Sequence, residues 1–313
     1  MKVLVTGADG FIGRHLVHGL AAAGHRVVAA SRTNAGLANA DWRPMPDLGG
    51  DSDGMLRLDD CDAVVHLAGR AHVFRRQDCE ETIFRRVNVE GSRRLAAEAA
   101  RSGVRQVIFM SSAHAVAAES DIPIDEATVP RPESAYGRSK LAAEIVFKEV
   151  LEGSGCGLTI LRPPLVYGPG SGANFARLVH LVQAGMPLPF AGIDNRRSFI
   201  GVQNLADLVN ACLVDPRAVN RTFFPSDGVD LSTPGLLRAL ARALGKKDRL
   251  FNVPQSLLSA AALLPGMRAI RTLLASLPVD STTLIRELEW RPRLDLDTGL
   301  RLLVGAIPYQ EDR

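Results

Sequence analysis

The sequence predicts an α/β fold in which a doubly wound parallel sheet carries a smaller C-terminal lobe. Short apolar strand patterns alternate with helical patterns from Met1 to about Gly168, an order that produces a parallel sheet covered by helices on both faces. A glycine-rich turn follows the first strand pattern. The length of 313 residues is enough for one large core and a smaller lobe.

The first strand pattern covers residues 2 to 5 and leads through three glycines to a helix predicted over 14 to 23. Gly7 permits a tight turn, Gly10 allows the backbone to approach a pyrophosphate, and Gly13 allows the helix to pack closely on the strand. The N–H groups at the start of that helix would face the anion. This order of strand, glycine turn and helix predicts a dinucleotide site.

The second strand pattern, 25 to 30, ends about where a dinucleotide fold places a carboxylate on the adenosine ribose. Ser31 and Arg32 occupy that place instead. A guanidinium beside a small hydroxyl group suits a ribose 2′-phosphate better than a free 2′-hydroxyl. The sequence therefore favours NADP(H) as the cofactor, with NAD(H) as the alternative.

Three later strand patterns extend the predicted sheet. The segment 62 to 69 is predicted as a buried parallel strand that ends in small residues beside the cofactor. The next pattern, 106 to 110, ends in Ser111 and Ser112 at the carboxyl edge of the sheet, where doubly wound folds bind ligands. A further strand is predicted over 158 to 162.

Tyr136 and Lys140 are the candidate proton-transfer pair, and the serine hydroxyl is expected to face Tyr136. The two residues are four apart in a predicted helix, so both side chains lie on one face. The lysine ammonium is expected to lower the pKa of the phenol from about 10, which would make Tyr136 an acid or base in hydride chemistry. Glu144 and Lys148 continue the same spacing and are expected to form an exposed, salt-bridged face.

The glycine spacing G-x-x-G-x-x-G and the spacing Tyr-x-x-x-Lys resemble those of the short-chain dehydrogenase/reductase superfamily. The segment 11 to 13, Phe-Ile-Gly, is similar to its extended branch, the sugar-nucleotide epimerases, dehydratases and reductases. The resemblance implies a Rossmann-like sheet. It also implies that Ser112, with Ser111 as the fallback, holds the substrate oxygen while Tyr136 transfers a proton and Lys140 assists it.

The resemblance also extends the cofactor site beyond the glycine turn. It implies an adenine contact at Asp47, a backbone brace at Asn88 and a nicotinamide contact in the segment 162 to 170. The cofactor-binding residues expected from the turn and from the resemblance are Gly7, Gly10, Phe11, Ile12, Gly13, Ser31, Arg32, Asp47, Leu67, Ala68, Gly69, Asn88, Tyr136, Lys140, Pro163 and Val166.

Five residues are expected on the substrate side of the site. Arg70 and His72 follow the strand at 62 to 69 into the mouth of the site, and His114 can line a sugar pocket. By resemblance, Asn174 and Arg197 match positions that bind the diphosphate of a nucleotide sugar, a group that suits a planar guanidinium.

The chain is expected to cross between two lobes. The resemblance places residues 1–168 and 198–224 in the dinucleotide-binding domain. Residues 169–197 and 225–313 are expected to form the substrate-binding lobe.

The expected substrate is a nucleoside-diphosphate sugar. The leading hypothesis is a reductase for its 4-keto group, because net reduction draws on NADPH and Ser31-Arg32 favours that cofactor. The alternative is a UDP-sugar 4-epimerase that retains NAD and uses the same serine, tyrosine and lysine. A second alternative is a dinucleotide-binding sensor or scaffold without catalysis, against which the three retained catalytic residue types argue.

Composition narrows the remaining classes. The net charge of +3 is modest and no basic run is interleaved with aromatic residues, so nucleic acid is not an expected partner. The four cysteines have no C-x-x-C pairing, as in reduced intracellular proteins, and no metal site is expected. The opening strand pattern argues against a secretory signal, and the apolar run 257 to 264 is too short to span a bilayer. We therefore expect a cytoplasmic protein and, by resemblance, a homodimer formed through helices near 82–102 and 139–151.

Overall fold

The computed structural model of the chain describes residues 1–50, 56–71, 77–264 and 268–306, with the backbone alone at 77–80, 173–174 and 268–269. The strands are β1 (Lys2–Thr6), β2 (Arg26–Ser31), β3 (Ala40–Pro44), β4 (Ala63–His66), β5 (Gln106–Met110), β6 (Gly157–Leu161), β7 (Leu165–Tyr167), β8 (Phe199–Gly201) and β9 (Thr222–Phe223). The helices are α1 (Phe11–Ala22), α2 (Gln77–Phe84), α3 (Gly91–Arg101), α4 (Ala135–Leu151), α5 (Ala173–Gln183), α6 (Val202–Val214), α7 (Thr233–Ala243), α8 (Gln255–Ala261), α9 (Arg268–Leu274), α10 (Thr282–Leu288) and α11 (Leu296–Gly305). A π-helical turn, Arg85–Glu90, joins α2 to α3, and a 3₁₀ turn, Ala113–Ala115, follows β5.

Seven strands form one parallel sheet in the order β3-β2-β1-β4-β5-β6-β9, and β7 and β8 form a separate parallel pair. Because β1 pairs with β2 on one side and with β4 on the other, the connections run outward from β1 in both directions. A crevice is expected at such a switch point, outside the carboxyl ends of the strands. The predicted doubly wound, Rossmann-like sheet is confirmed.

Strand residues alternate between two cores, one on each face of the sheet. Val3 and Val5 pack with Leu16 of α1 and Leu205 of α6, whereas Leu4 packs with the layer that contains α3 and α4. A third core, built largely from α5, α7 and α11, lies in the C-terminal lobe. Among the helices in the described ranges, none has both the length and the apolar character that a bilayer crossing requires.

The C-terminal segment does not pack only within the substrate lobe. Leu284 and Leu288 of α10, together with Trp290, belong to the same buried core as β1, α1 and α6. The indole N–H of Trp290 donates to Asp207 of α6 at 2.9 Å. Residues 282–290 therefore contribute to the core beside the parallel sheet, whereas the resemblance placed the whole of 225–313 in the substrate-binding lobe. The reason is that a short apolar helix carries no sequence signal for which of two cores it joins.

A buried polar cluster joins the two lobes near β7. The Tyr167 hydroxyl, on a residue 1% exposed, donates to Asp227 at 2.8 Å. The same carboxylate accepts from the Gly201 N–H at 3.0 Å and from the Asn204 amide at 2.8 Å. Burial raises the pKa of Asp227, and these donors oppose the rise. The cluster fixes the crossing segments relative to each other.

We expect Gly13→Ala to destabilise the fold. A Cβ atom at Gly13 would lie 2.2 Å from the Gly7 carbonyl oxygen and 2.7 Å from the Ala8 Cα, both of which are backbone atoms that cannot move aside. Overpacking of this kind costs about 3 kcal/mol, so the urea midpoint of unfolding should fall. Gly305→Ala, where a Cβ would meet nothing within 4 Å, is the matched control. Equal midpoints for the two variants would contradict the close packing of helix on strand.

Candidate active site

The glycine turn opens the switch-point crevice between β1 and β4. Gly7 has a φ of +67°, in the left-handed region that favours glycine, and its Cα approaches the backbone of Ala68 so closely that a Cβ would lie 2.9 Å from that nitrogen. Gly10 is the residue before α1 and has no side chain to cap the helix. The first N–H groups of α1 are therefore left for a ligand, and these residues fit a dinucleotide pyrophosphate.

A cleft of about 360 Å³ lies beside this turn, at the carboxyl ends of β2 and β4. Arg32, Asp47, Ala68 and Gly69, four of the residues predicted to bind the cofactor, line this cleft. Arg70, which the sequence proposed at the mouth of the site as a substrate contact, lines the same cleft.

The Ser31 hydroxyl is engaged within the fold and does not line this cleft. Ser31 is 2% exposed, donates its hydroxyl proton to the Thr33 carbonyl at 2.7 Å and accepts from the Trp42 indole at 3.2 Å. The guanidinium of Arg32, in contrast, is on an exposed residue at the cleft. Of the two residues that the sequence proposed for a ribose 2′-phosphate, Arg32 therefore lines the cleft and Ser31 does not.

Asn88, on the π-helical turn, connects the backbone at Arg70 with α4 through its side-chain amide. Its side-chain oxygen accepts from the Arg70 N–H at 2.8 Å, and its amide donates to the Arg70 carbonyl at 3.0 Å and to the Ser139 hydroxyl at 2.9 Å. Ser139 lies on α4 between Tyr136 and Lys140. Asn88 thus links the backbone at Arg70 to α4, and its role beside a cofactor stays a prediction.

Ser112 and Tyr136 meet at the wall of a second cleft, of about 580 Å³. Ser112 follows β5, is 8% exposed and accepts from the His114 N–H at 3.2 Å. Tyr136 lies in the first turn of α4, which begins after the capping residue Ser134, and its ring centroid is 6.0 Å from that of Phe84. A hydrogen-bond donor and a phenol therefore face the same space.

The ionisation of Tyr136 differs from the expectation. Burial raises the pKa of Tyr136 to about 12, and the hydrogen bond with Ser112 opposes this rise. Lys140, which was expected to lower that pKa, donates its ammonium to the Met110 carbonyl at 2.8 Å and sits 4.9 Å from the Phe109 ring centroid. Burial in turn lowers the pKa of Lys140 to about 8. The protein alone therefore keeps Tyr136 protonated, which suits a proton donor.

Glu144 and Ser111 have roles that the sequence did not predict. Glu144 was expected on an exposed face, but it is 1% exposed and binds Arg162 through two hydrogen bonds of 3.0 and 2.6 Å. The Ser111 hydroxyl donates to the same carboxylate. Ser111 is therefore directed away from the substrate cleft, and Ser112 is the serine that lines it.

The second cleft also holds two of the residues proposed for the substrate. His114 and Arg197 both line it, together with Val166 and residues of α9. Arg197 is 8% exposed and donates to the backbone carbonyls of Thr272 and Ala275. Burial lowers the pKa of both Arg197 and His114, and the Arg197 charge contributes to the shift at His114. A buried guanidinium whose described acceptors are backbone carbonyls is suited to an anionic ligand.

The structure does not describe the side chains of two of the proposed substrate residues. His72 lies outside the described residues, and Asn174 lies in the first turn of α5, where the structure describes the backbone alone.

Pro163 precedes β7 and accepts from the Ala113 N–H at 2.9 Å, which ties it to the 3₁₀ turn after Ser112. Phe11 and Ile12 are partly buried in the first turn of α1, and Leu67 is partly buried beside Ala68.

Gly137 was missed by sequence reasoning. A Cβ at this position would lie 2.2 Å from the His114 carbonyl oxygen, so only glycine allows α4 to pack this closely on the turn after Ser112. This contact brings Tyr136 and Ser112 together. A glycine directly after the candidate tyrosine was the available signal.

In the ranges that the structure describes, no three His, Cys, Asp or Glu side chains gather as metal ligands.

Comparison with known proteins matches this geometry to one family. The model of the NAD dependent epimerase/dehydratase family matches residues 3–223. The UDP-glucose 4-epimerase of Vibrio cholerae is 36% identical over 321 residues, which cover 100% of this chain and 97% of that protein. The GDP-6-deoxy-D-mannose reductase of Pseudomonas aeruginosa is 32% identical over 224 residues, which cover 65% of this chain and 67% of that protein.

A solved structure is also similar to this chain over nearly its whole length. The structure of MoeE5 in complex with UDP-glucuronic acid and NAD has a TM-score of 0.78 and 26% sequence identity to this chain, and the match covers 98% of both chains. The overall fold is thus shared with a protein whose structure holds UDP-glucuronic acid and NAD. The chain belongs to the NAD-dependent epimerase/dehydratase family, an enzyme family within the extended short-chain dehydrogenases/reductases.

Proposed function

We propose that the protein is a UDP-sugar 4-epimerase that retains NAD. The observation that carries the proposal is the cleft of about 580 Å³ in which Ser112 and Tyr136 share a wall with the buried guanidinium of Arg197. A hydrogen-bonding hydroxyl group and a proton donor thus lie beside an anion-binding group, which fits a sugar attached to a diphosphate. The UDP-glucose 4-epimerase of Vibrio cholerae, 36% identical over 100% of this chain, favours this alternative over the reductase hypothesis.

The residues of this chain divide the chemistry as follows. A bound nicotinamide dinucleotide supplies the hydride exchange at the sugar carbon. Tyr136 passes a proton to or from the oxygen on that carbon, and Ser112 holds the oxygen by a hydrogen bond. Lys140 keeps a positive charge beneath the site, and Arg197 binds the diphosphate. The glycine turn positions the dinucleotide at the start of α1.

A 4-keto-sugar reductase that uses NADP(H) is the second candidate. It is favoured by the end of β2, where Arg32 occupies the place of the ribose-binding carboxylate and lines the adenosine cleft with Arg70. A guanidinium is the usual partner of a 2′-phosphate. The similarity to a GDP-6-deoxy-D-mannose reductase over 65% of this chain supports the same alternative.

Turnover assays separate the two candidates. The epimerase should copurify with NAD and interconvert UDP-glucose with UDP-galactose, or the N-acetylated pair, without net consumption of dinucleotide. The reductase should consume one NADPH for each molecule of a nucleoside-diphosphate 4-keto-6-deoxysugar. Interconversion without NADPH loss supports the epimerase, and stoichiometric NADPH loss without interconversion replaces it with the reductase.

We expect Arg32→Ser to weaken NADPH binding roughly tenfold while leaving NADH binding nearly unchanged, because one charge-assisted hydrogen bond to a phosphate is worth about 1.5–3 kcal/mol. Dissociation constants can be measured from the fluorescence of Trp42, which bonds Ser31 next to the cleft. Arg26→Ser, at the opposite end of β2, is the matched control. An equal loss for both dinucleotides would remove the argument for a 2′-phosphate at Arg32.

We further propose that the protein works in the cytoplasm as a homodimer. Cys61, Cys156 and Cys212 are free and buried, as in a reducing compartment. Ile145 on α4 is 47% exposed, and burial of this face against a second copy, as the resemblance implies, would cover it. Sedimentation equilibrium of the wild type and of Ile145→Glu tests the dimer, because a charge at such an interface should produce monomers.

A further inference from the structure

A buried ion pair lies directly beneath the catalytic residues. Glu144 is 1% exposed and Arg162 is 6% exposed. Arg162 donates Nε to Oε1 of Glu144 at 3.0 Å and Nη2 to Oε2 at 2.6 Å, which is the strong bidentate arrangement. The Ser111 hydroxyl completes the shell of Oε1. Both oxygens of the carboxylate are therefore held.

Each member of this network lies near a candidate site residue along the sequence. Ser111 directly precedes Ser112, Glu144 lies one helical turn after Lys140 on α4, and Arg162 directly follows β6. The backbone around Ser111 is fixed as well, since its N–H donates to the Leu161 carbonyl at 2.8 Å. The ion pair thus fastens the ends of β5 and β6 to the catalytic helix.

Stability alone does not require charges at this place. The cost of removing a carboxylate and a guanidinium from water is comparable to what the pair regains inside the protein, and apolar pairs of similar size often fold as well. Arg162 also stacks over the Phe224 ring at 5.3 Å, in apolar surroundings that an uncharged side chain would also fill. A buried charge here needs an electrostatic reason, and Lys140, one helical turn earlier on α4, is a candidate for it.

The groups that face Lys140 leave Glu144 as its negative partner. The ammonium donates to the Met110 carbonyl and lies over Phe109. His66 on β4 is neutral, because burial, followed by the Lys140 charge, lowers its pKa to about 3. Tyr136 on the same helix is protonated. Burial lowers the pKa of Lys140, and Glu144 is the charged group that opposes this effect.

We propose that Glu144, held by Arg162 and Ser111, is a positioning residue that keeps Lys140 in its ammonium form beneath the hydride-transfer site. Glu144 does not touch the substrate cleft and acts through Lys140 alone. The effect of the Lys140 charge on turnover rests on the proposed function, whereas the existence of that charge does not. The two can therefore be tested separately.

The test is a direct titration of Lys140 in the full chain. The protein has five lysines, so ¹³Cε-lysine labelling gives five signals, and the signal lost in Lys140→Met identifies Lys140. In Glu144→Gln we expect the titration midpoint of Lys140 to fall by about one pH unit or more, because the opposing carboxylate is gone. In Glu144→Asp, which keeps the charge, the midpoint should stay near that of the wild type. Lys246, which is exposed on a distant loop, is the internal control.

A second variant separates electrostatics from packing. Glu144→Gln leaves the Arg162 charge buried without a partner and can unfold the protein, whereas Glu144→Gln with Arg162→Met removes both charges. We expect this double variant to fold and to keep the lowered Lys140 midpoint. A wild-type midpoint in the double variant would overturn the proposal and leave the network as packing only.

Turnover gives the remaining readout. If the proposed function holds, a one-unit fall in the Lys140 midpoint should lower kcat of the double variant about twofold at pH 7 and roughly fivefold at pH 8 with little change in KM, because the charged fraction of Lys140 falls by these factors. If the variants show the Lys140 shift but the wild type has neither epimerase nor reductase activity, the proposed function is refuted. The role of Glu144 is then unaffected.

Discussion

Tyr136→Phe should reduce kcat by about 10²–10⁴-fold, the range that a positioned proton-transfer group contributes. The phenylalanine ring keeps the contact with Phe84, whose ring centroid is 6.0 Å away, so KM should change little. The removed oxygen is the one that faces the cleft together with Ser112. A loss confined to kcat is what the removal of a group acting only in the transition state produces.

Tyr167→Phe is the matched control for this experiment. It also removes a phenolic oxygen, but one that bonds Asp227 between the lobes and does not face the cleft. We expect it to cost about 1 kcal/mol of stability and to leave kcat close to the wild-type value. If Tyr136→Phe turned over as fast as this control, the assignment of Tyr136 as the proton-transfer residue would be wrong.

Arg197→Met should raise the KM for a UDP-sugar roughly 30-fold or more. Truncating one partner of a buried, charge-assisted contact costs about 2–5 kcal/mol, and Arg197 is 8% exposed in the wall of the substrate cleft. Arg196→Met is the matched control, because Arg196 is exposed and pairs with Asp230 outside the cleft. That variant should bind substrate like the wild type.

The phosphate dependence identifies what Arg197 binds. The affinity for UDP should fall with that for the UDP-sugar, whereas the affinity for uridine, which has no phosphate, should remain unchanged. Parallel losses for UDP and uridine would mean that Arg197 shapes the cleft through its bonds to the Thr272 and Ala275 carbonyls and does not bind the diphosphate.

Local patterns predicted the parts of this protein whose physical cause is local. The glycines at 7, 10 and 13 are required by the backbone of one turn, and the sequence shows both their identity and their spacing. Tyr136 and Lys140 lie on one helix, so their shared face follows from the helical period. The parallel sheet covered by helices followed from the alternation of strand and helix patterns.

Long-range contacts decided what the sequence did not predict. The Lys140, Glu144 and Lys148 spacing is equally consistent with an exposed helix face, and only the arrival of Arg162 from β6 explains why Glu144 is buried. Ser111 and Ser112 are chemically equivalent in the sequence, and the same network distinguishes them by engaging Ser111. The placement of Arg70 and of residues 282–290 likewise depended on which surfaces meet in space.

The position of Trp290 and α10 in the first core has a consequence for synthesis. The Leu288 side chain that packs in the same core as Val3 is synthesised 285 positions after it. At about 5–20 residues per second, a ribosome needs roughly 15 to 60 seconds to cover that distance. During this interval α1 and α6 can already pack on that face of the sheet, but the part of the core that α10 and Trp290 fill stays open, so the first core cannot close before the last tenth of the sequence has been added.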